Sequence, residues 1–492
     1  MNHLSHLTLP NLPANILRPS YDRDVCGIGI VHLGAGAFHR AHQAVYSDRV
    51  LEQDGGDWSI IGASLRGKGV YDQLTPQDGL FSVTSRSGAG NDTRVVGALK
   101  SILYAPDDPG ALLARMAAES TRIVSLTVTE KGYCRHPASG GLIDDDPDIA
   151  HDLQNPENSR TAIGFLVRAL DLRRRSGVAP FTVLSCDNLP DNGRSLRQVA
   201  VEFAGQVSDD LGAWIVDNAC FPCTMVDRIV PATTKDDLAF ISTALGCTDA
   251  GAVFTEPFTQ WVIEDSFTLG RPAWEKAGAL LVDDVAPYEL MKLRLLNGAH
   301  SSLAYLGYLS GFEYVSDCMD NRPMRDFISA LMRIEIGETL VPPSGFDRDA
   351  YTGDLLARFA NPALKHRCWQ IAMDGSQKLP QRLLGTIRDR LGRGLPIDRL
   401  ALAVVAWLQY ASGQNLEGAK IDVRDPLAVR LRTRLQPCLG NSETMIDTAL
   451  GVVEVFGNDL ATHPAFRGIL VNALISLETH GALGAVARVA VP

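Results

Sequence analysis

The run Asp24-Val-Cys-Gly-Ile-Gly-Ile-Val-His-Leu33, the turn Gly34-Ala-Gly36 and the helical-looking segment through Leu51 constrain the fold more than any other part of this sequence. A mostly apolar, β-branched run without polar alternation reads as a strand covered on both faces, as in a parallel sheet. Strand, G-x-G turn and helix is the context a dinucleotide site needs. The first glycine makes the tight turn, the second lets backbone approach a pyrophosphate, and the helix start supplies amides and partial positive charge. The third glycine of the fingerprint is absent, with His39 in its place, so the motif alone also fits a generic strand-to-helix turn. Gly34, Gly36, Ala37, Phe38, His39 and Arg40 are the candidate cofactor-binding residues.

The same alternation continues. Residues 59–65, 122–128 and 181–185 read as further strands, with helices over 109–119 and 160–175, which makes the first part of the chain a doubly wound α/β sheet. At the carboxyl end of the 59–65 strand, where a carboxylate would meet a ribose 2′-hydroxyl, the sequence has Arg66 and Lys68. That pair suits a 2′-phosphate, so NADP stands beside NAD. The 122–128 strand runs into Thr129-Glu130-Lys131 and the 181–185 strand into Cys186-Asp187-Asn188. In open α/β sheets these ends border the ligand crevice, so Glu130 and Asn188 are site candidates, although a loop of Asn, Asp, Pro and Gly also reads simply as a turn. Residues 224–233 read as an extended segment with Asp227 and Arg228 among apolar neighbours, either an ion pair or part of a site. Beyond about residue 280 the character changes, and from Pro287 helical periodicity dominates, notably over 377–393, 397–412 and 464–487. Two domains are expected, 1–283 and 284–492.

Composition excludes several function classes. A net charge of -11 without a basic tail argues against a nucleic-acid partner. No basic-then-apolar leader opens the chain and no run reaches the ~18 apolar residues of a bilayer span, so no membrane partner and a cytoplasmic location are expected. Nine scattered cysteines are the pattern of reduced thiols. Cys220-Phe-Pro-Cys223 has the spacing of a redox pair or half a zinc site, but no second pair stands nearby at ligand spacing, and no metal is expected. The oligomeric state is left open, a monomer included.

The most chemically loaded stretch is Tyr288-Glu-Leu-Met-Lys292-Leu-Arg-Leu-Leu-Asn297-Gly-Ala-His300. Read as a continuous α-helix at about 100° per residue, it places Lys292, Asn297 and His300 on one arc of roughly 140°. Leu293, Leu295 and Leu296 cover much of the rest, so the lysine is expected to be buried. A buried lysine must be paired or neutralised, and a neutral lysine is a base.

Taken together, V-H-L-G-A-G-A-F-H-R-A-H-Q, S-L-T-V-T-E-K-G-Y-C, S-C-D-N-L-P-D-N-G, M-V-D-R-I-V-P-A-T and K-L-R-L-L-N-G-A-H resemble the mannitol dehydrogenase family of long-chain, metal-independent polyol and uronate dehydrogenases. The blocks occur in the family's order over most of residues 25–390. The resemblance implies a Rossmann N-terminal domain, a mainly helical C-terminal domain, a nicotinamide cofactor and a site between the domains. It implies Lys292 as general acid/base, Asn188 and Asn297 as amide donors to the substrate oxygen, His300 as the orienting imidazole and Glu130 as a proton relay. Asp227, Gln370 and Lys378 are the implied substrate-binding residues. W-Q-I-A-M-D-G-S-Q-K-L-P-Q-R and P-Q-D-G-L-F resemble the fructuronate reductase group, and Gln370 stands where mannitol 2-dehydrogenases carry arginine. The expected activity is therefore interconversion of a sugar acid or polyol and its keto form, D-mannonate and D-fructuronate first, with mannitol, arabinitol or sorbitol as alternatives. Two rival readings stand beside it. Tyr288-x-x-x-Lys292 fits the motif of short-chain dehydrogenases, in which tyrosine is the acid/base, and a non-catalytic nucleotide sensor would also keep the first domain.

Overall fold

The computed structural model describes residues 2–88, 90–136, 139–343 and 345–489. It divides into two compact units, Met1–Ala286 and Pro287–Pro492.

The first unit is built on five parallel strands, numbered here β1 (Ile28–Leu33), β2 (Ser59–Ser64), β3 (Leu99–Tyr104), β4 (Ile123–Leu126) and β5 (Thr182–Ser185). They lie side by side in the order β3-β2-β1-β4-β5. Alternate side chains of each strand enter different cores. Val31, Leu33, Val124, Leu126 and Val183 pack with the helices Pro109–Ala117, Ala162–Arg175 and Asn192–Val207. Ile30, Ile60, Ile123 and Leu184 pack with the helix Gln43–Asp54 and with Trp261 and Trp274. This two-sided burial is why β1 reads as a mostly apolar run without polar alternation. The strand order reverses between β1 and β4, which creates a crevice at their carboxyl ends.

Two smaller sheets were not expected from the sequence. One joins Thr224–Asp227, Gln260–Glu264 and Leu280–Val282. The other joins the hairpin Phe81–Ser87 and Gly90–Val96 to Val253–Thr255. The extended segment expected over 224–233 is a strand only as far as Asp227.

The second unit is helical. Its central helix, Asp398–Ala411, is buried from Arg399 to Ala411, all the way round, as a helix packed on every side must be. Glu335 caps its start: Oε1 accepts from the Arg399 amide at 2.9 Å and Oε2 from the Leu400 amide at 2.9 Å. A carboxylate there satisfies orphan amides and meets the positive end of the helix dipole. The helix Pro464–Val489 is long and apolar enough to cross a bilayer by length and composition. It is broken at Gly481, however, and buries Phe466, Leu470, Leu474 and Leu477 in this unit. The helix expected over 377–393 is three pieces, Gly375–Leu379, a π-helical Pro380–Leu384 and Gly385–Gly392.

Candidate active site

Each unit contributes its own set of residues. In the first, β1 ends in a turn that only glycine can make. Gly34 has φ +88°, and a Cβ there would lie 2.3 Å from the Thr127 carbonyl oxygen at the end of β4. Thr127 fixes the turn from that side, donating its hydroxyl to the Gly34 carbonyl at 2.8 Å. Gly36 precedes the short helix Ala37–Ala41, and a Cβ on it would meet nothing nearer than the Gly34 carbonyl at 3.8 Å, so a cradle remains open above this backbone. Gly34, Gly36, Ala37 and Phe38 are half-buried.

His39 and Arg40 turn the other way. The His39 ring is fully buried and stacks on His32 of β1, with centroids 3.5 Å apart, so the residue in place of the third glycine fills the gap between helix and strand. Arg40 donates to the carbonyls of Gly36 and Gly251, which ties the turn to a distant loop of the same unit. Arg66 and Lys68 are exposed at the end of β2, where Arg66 pairs with Asp148 at 3.3 Å and Lys68 with Asp107 at 3.1 Å. Asp227 is buried at the end of its strand, while Arg228 donates to the backbone carbonyls of Ala41 and Glu256.

Burial holds the His32 imidazole down to about 3 and that of His39 well below its usual range. In the unfolded chain both titrate near 6.5. Below that value the unfolded state binds protons that the fold refuses, so stability present above about pH 6.5 is lost as pH falls, by about 1 kcal/mol per pH unit for each ring. The urea midpoint of the unfolding transition that reports this unit is expected to drop between about pH 6.5 and 5, and His39→Phe to make that limb shallower. A flat midpoint across this window would contradict the assignment of two neutral buried rings.

The ends of β4 and β5 are organised by a residue that the sequence left inconspicuous. The Asp187 carboxylate accepts from the amides of Val128 at 3.1 Å and Thr129 at 2.8 Å and from the Tyr133 hydroxyl at 3.0 Å. Burial pushes its carboxyl up while these donors pull it down. The clamp holds Thr129 at φ +65°, a conformation costly for a β-branched residue, immediately before Glu130. Glu130 opens a short 3-10 turn and is exposed, as is Asn188 beyond Asp187. Asn192 then ties β5 to the neighbouring sheet: its Oδ1 accepts from the Thr224 amide at 2.9 Å and its Nδ2 donates to the Thr224 carbonyl at 2.9 Å. Asp187 and Asn192 carried no local signal beyond that of turn residues.

In the second unit, the segment expected as one α-helix is α-helical over Ala286–Met291, π-helical over Lys292–Gly298 and α-helical again over Ala299–Leu309. The difference matters for the chemistry. Five residues of α-helix would turn Asn297 about 140° away from Lys292. The i→i+5 hydrogen bonding of a π-turn instead widens the turn, so residues five apart lie closer to each other around the axis than in an α-helix, which favours the amine and the amide sharing a side. Gly298 permits the widened turn to pack: a Cβ on it would lie 2.8 Å from the carbonyl oxygen of Arg382, in the π segment Pro380–Leu384. Arg294 anchors the outside, donating to Thr339 at 3.0 Å and Asp389 at 2.6 Å.

Lys292 and His300 are buried, at 9% and 8% exposure, and Asn297 is half-buried. The His300 ring lies 5.0 Å from that of Phe359 and 4.7 Å, edge-on, from that of His366. Burial, followed by His366, Arg382, Arg358 and Lys378, drives the His300 imidazole well below its usual range, so it is neutral at physiological pH. Lys378 is half-buried and donates to the carbonyl of Met373 at 2.6 Å, and Gln370 is exposed on the helix Cys368–Ile371. Tyr288 packs edge-on against Phe346 with centroids 5.8 Å apart. Among the described residues no group of three His, Cys, Asp or Glu side chains could hold a metal, and all nine cysteines are free.

Comparison with known proteins extends across both units. The model of the mannitol dehydrogenase Rossmann domain matches residues 28–276, and that of the mannitol dehydrogenase C-terminal domain matches residues 284–478. The uncharacterized oxidoreductase YeiQ of Escherichia coli (strain K12) is 48% identical over 484 residues, covering 98% of each chain. D-mannonate oxidoreductase of the same organism is 45% identical over 482 residues, covering 97% of this chain and 98% of the relative. The solved ternary complex of Pseudomonas fluorescens mannitol 2-dehydrogenase with NAD and D-mannitol superposes with a TM-score of 0.84 at 36% identity, covering 99% of each chain.

Proposed function

Since this chain belongs to the mannitol dehydrogenase family and is an oxidoreductase, we propose that it interconverts a sugar acid and its keto form with NAD, D-mannonate and D-fructuronate being the pair. The observation that supports the mechanism is the π-turn over Lys292–Gly298, which carries the buried Lys292 and the half-buried Asn297 and leads into the buried His300. A secondary carbinol releases hydride only as its hydroxyl proton leaves, so the site needs a base and donors for the developing alkoxide. Lys292 takes that proton in oxidation and returns it in reduction. Asn297 donates an amide hydrogen to the alkoxide, and Asn188 is the second donor in this reading. His300, neutral, orients the hydroxyl by a hydrogen bond, while Glu130 passes the proton to solvent. Asp227, Gln370 and Lys378 contact the rest of the substrate.

The nicotinamide, when bound, accepts the hydride in oxidation and supplies it in reduction. The open backbone at Gly36, at the point where the strand order reverses, fits a pyrophosphate, so Gly34, Gly36, Ala37 and Phe38 would hold the cofactor. His39 and Arg40 would support that backbone from behind. Arg66 sits where the ribose end is read, which makes NADP the second arm of any assay.

The sequence likeness to D-mannonate oxidoreductase, together with Gln370, supports the sugar acid. The likeness to the mannitol 2-dehydrogenase complex supports a second reading, a polyol. A panel of D-fructuronate, D-tagaturonate, D-fructose and the matching hexonates and polyols, assayed with the NAD and NADP couples, separates them. Fructuronate reduction with NADH as the highest kcat/KM is expected. Preference for fructose and mannitol would replace the first reading with the second, and cofactor binding without turnover on any member would exclude both substrate classes.

A further inference from the structure

Arg382 lies in the π segment Pro380–Leu384, whose backbone presses on Gly298. Its Nη1 donates to the Ser301 hydroxyl at 3.2 Å, one residue beyond His300. No Asp or Glu among the described residues forms an ion pair with it. Four residues earlier, Lys378 directs its ammonium at the carbonyls of Met373 and Ile371, and the nearest carboxylate oxygen, on the half-exposed Asp374, is 4.0 Å away. Two cations four apart on one helical run are surface neighbours and repel. Burial holds both below their usual range, and Arg382 lowers Lys378 further. Holding a half-buried guanidinium with a neutral hydroxyl as its side-chain partner carries a cost. An incoming carboxylate would remove the cost, since a guanidinium fork matches its two oxygens.

We infer that Arg382, supported by Lys378, receives the carboxylate of a sugar-acid substrate whose hydroxyl end lies at His300. This rests on the reading of Lys292, Asn297 and His300 as the reacting end. It makes Arg382 the residue that separates uronates from neutral ketoses: the charged substrate fills the cationic site and the neutral one leaves it unpaired.

The test compares wild type, Arg382→Met and Arg382→Lys on D-fructuronate and D-fructose with NADH. Arg382→Met is expected to raise KM for fructuronate by about 100-fold and to change kcat/KM for fructose by far less. Arg382→Lys keeps the charge but not the fork and is expected to recover part of the loss, with thermal unfolding like that of wild type. Equal losses on both ketoses in the lysine variant, or an unchanged KM for fructuronate in the methionine variant, would overturn the role of Arg382 while leaving the sugar-acid reading intact. A wild type that prefers fructose would overturn both.

Discussion

Lys292→Ala is expected to retain cofactor binding, followed as quenching of protein fluorescence by NADH, and to lose turnover by about 10²- to 10⁴-fold, the usual contribution of a positioned acid/base. The physical reason is the setting of the amine. At 9% exposure it is held on a turn whose i→i+5 geometry is fixed from outside by Arg294 and by the contact of Gly298 with the Arg382 backbone. A lysine kept there for packing alone would be replaced by a smaller residue at a cost in stability and little in rate. The rival acid/base, Tyr288, stacks edge-on against Phe346 in the preceding α-helical turn. Tyr288→Phe keeps that ring contact and is expected to leave kcat close to wild type. A collapse in Tyr288→Phe together with near-normal turnover in Lys292→Ala would exchange the two roles.

Asn297→Ala is expected to lower kcat by about 10²- to 10³-fold with a smaller change in KM, because an amide donor to a developing alkoxide acts chiefly in the transition state. Asn297→Asp is expected to be at least as damaging, since it replaces a donor by a negative charge facing another. If Asn188 shares the alkoxide, the double variant Asn188→Ala/Asn297→Ala will lose less than the product of the two single losses. Strict multiplicativity of the two would place them on different atoms of the substrate.

Much of this was legible in the sequence, and the exceptions have physical causes. β1, β2, β4 and β5 were readable because both faces are buried, so their runs are mostly apolar and free of charged residues. β3, with Lys100 and Ser101 inside it, and the hairpin Phe81–Val96, with its polar outer positions, lacked that signature. Arg40 follows a G-x-G turn and so suggests an anion site, yet a partner is the Gly251 carbonyl, 211 residues away, which no local pattern reveals. Asp187 and Asn192 do their work by accepting from and donating to backbone of other segments, in a loop whose composition reads as a plain turn.

The stretch proposed to react was picked out by residue type and misread in geometry. Lysine, asparagine and histidine within nine residues of a leucine-rich helix are visible to the eye. A π-turn leaves no periodicity over so short a run, because it depends on what packs against it, here a second π segment and a glycine that admits it. The difference bears on the proposed chemistry, since a π-turn brings Asn297 closer around the axis to Lys292 than an α-helix would.

Chemical rescue of Lys292→Ala by small primary amines tests the central claim most directly. If Lys292 is the proton donor and acceptor, methylamine and ethylamine will restore fructuronate reduction in proportion to their concentration, with a dependence on amine basicity, and wild type will not respond. Absence of any rescue in a folded variant that still binds NADH, while Tyr288→Phe is inactive, would contradict it.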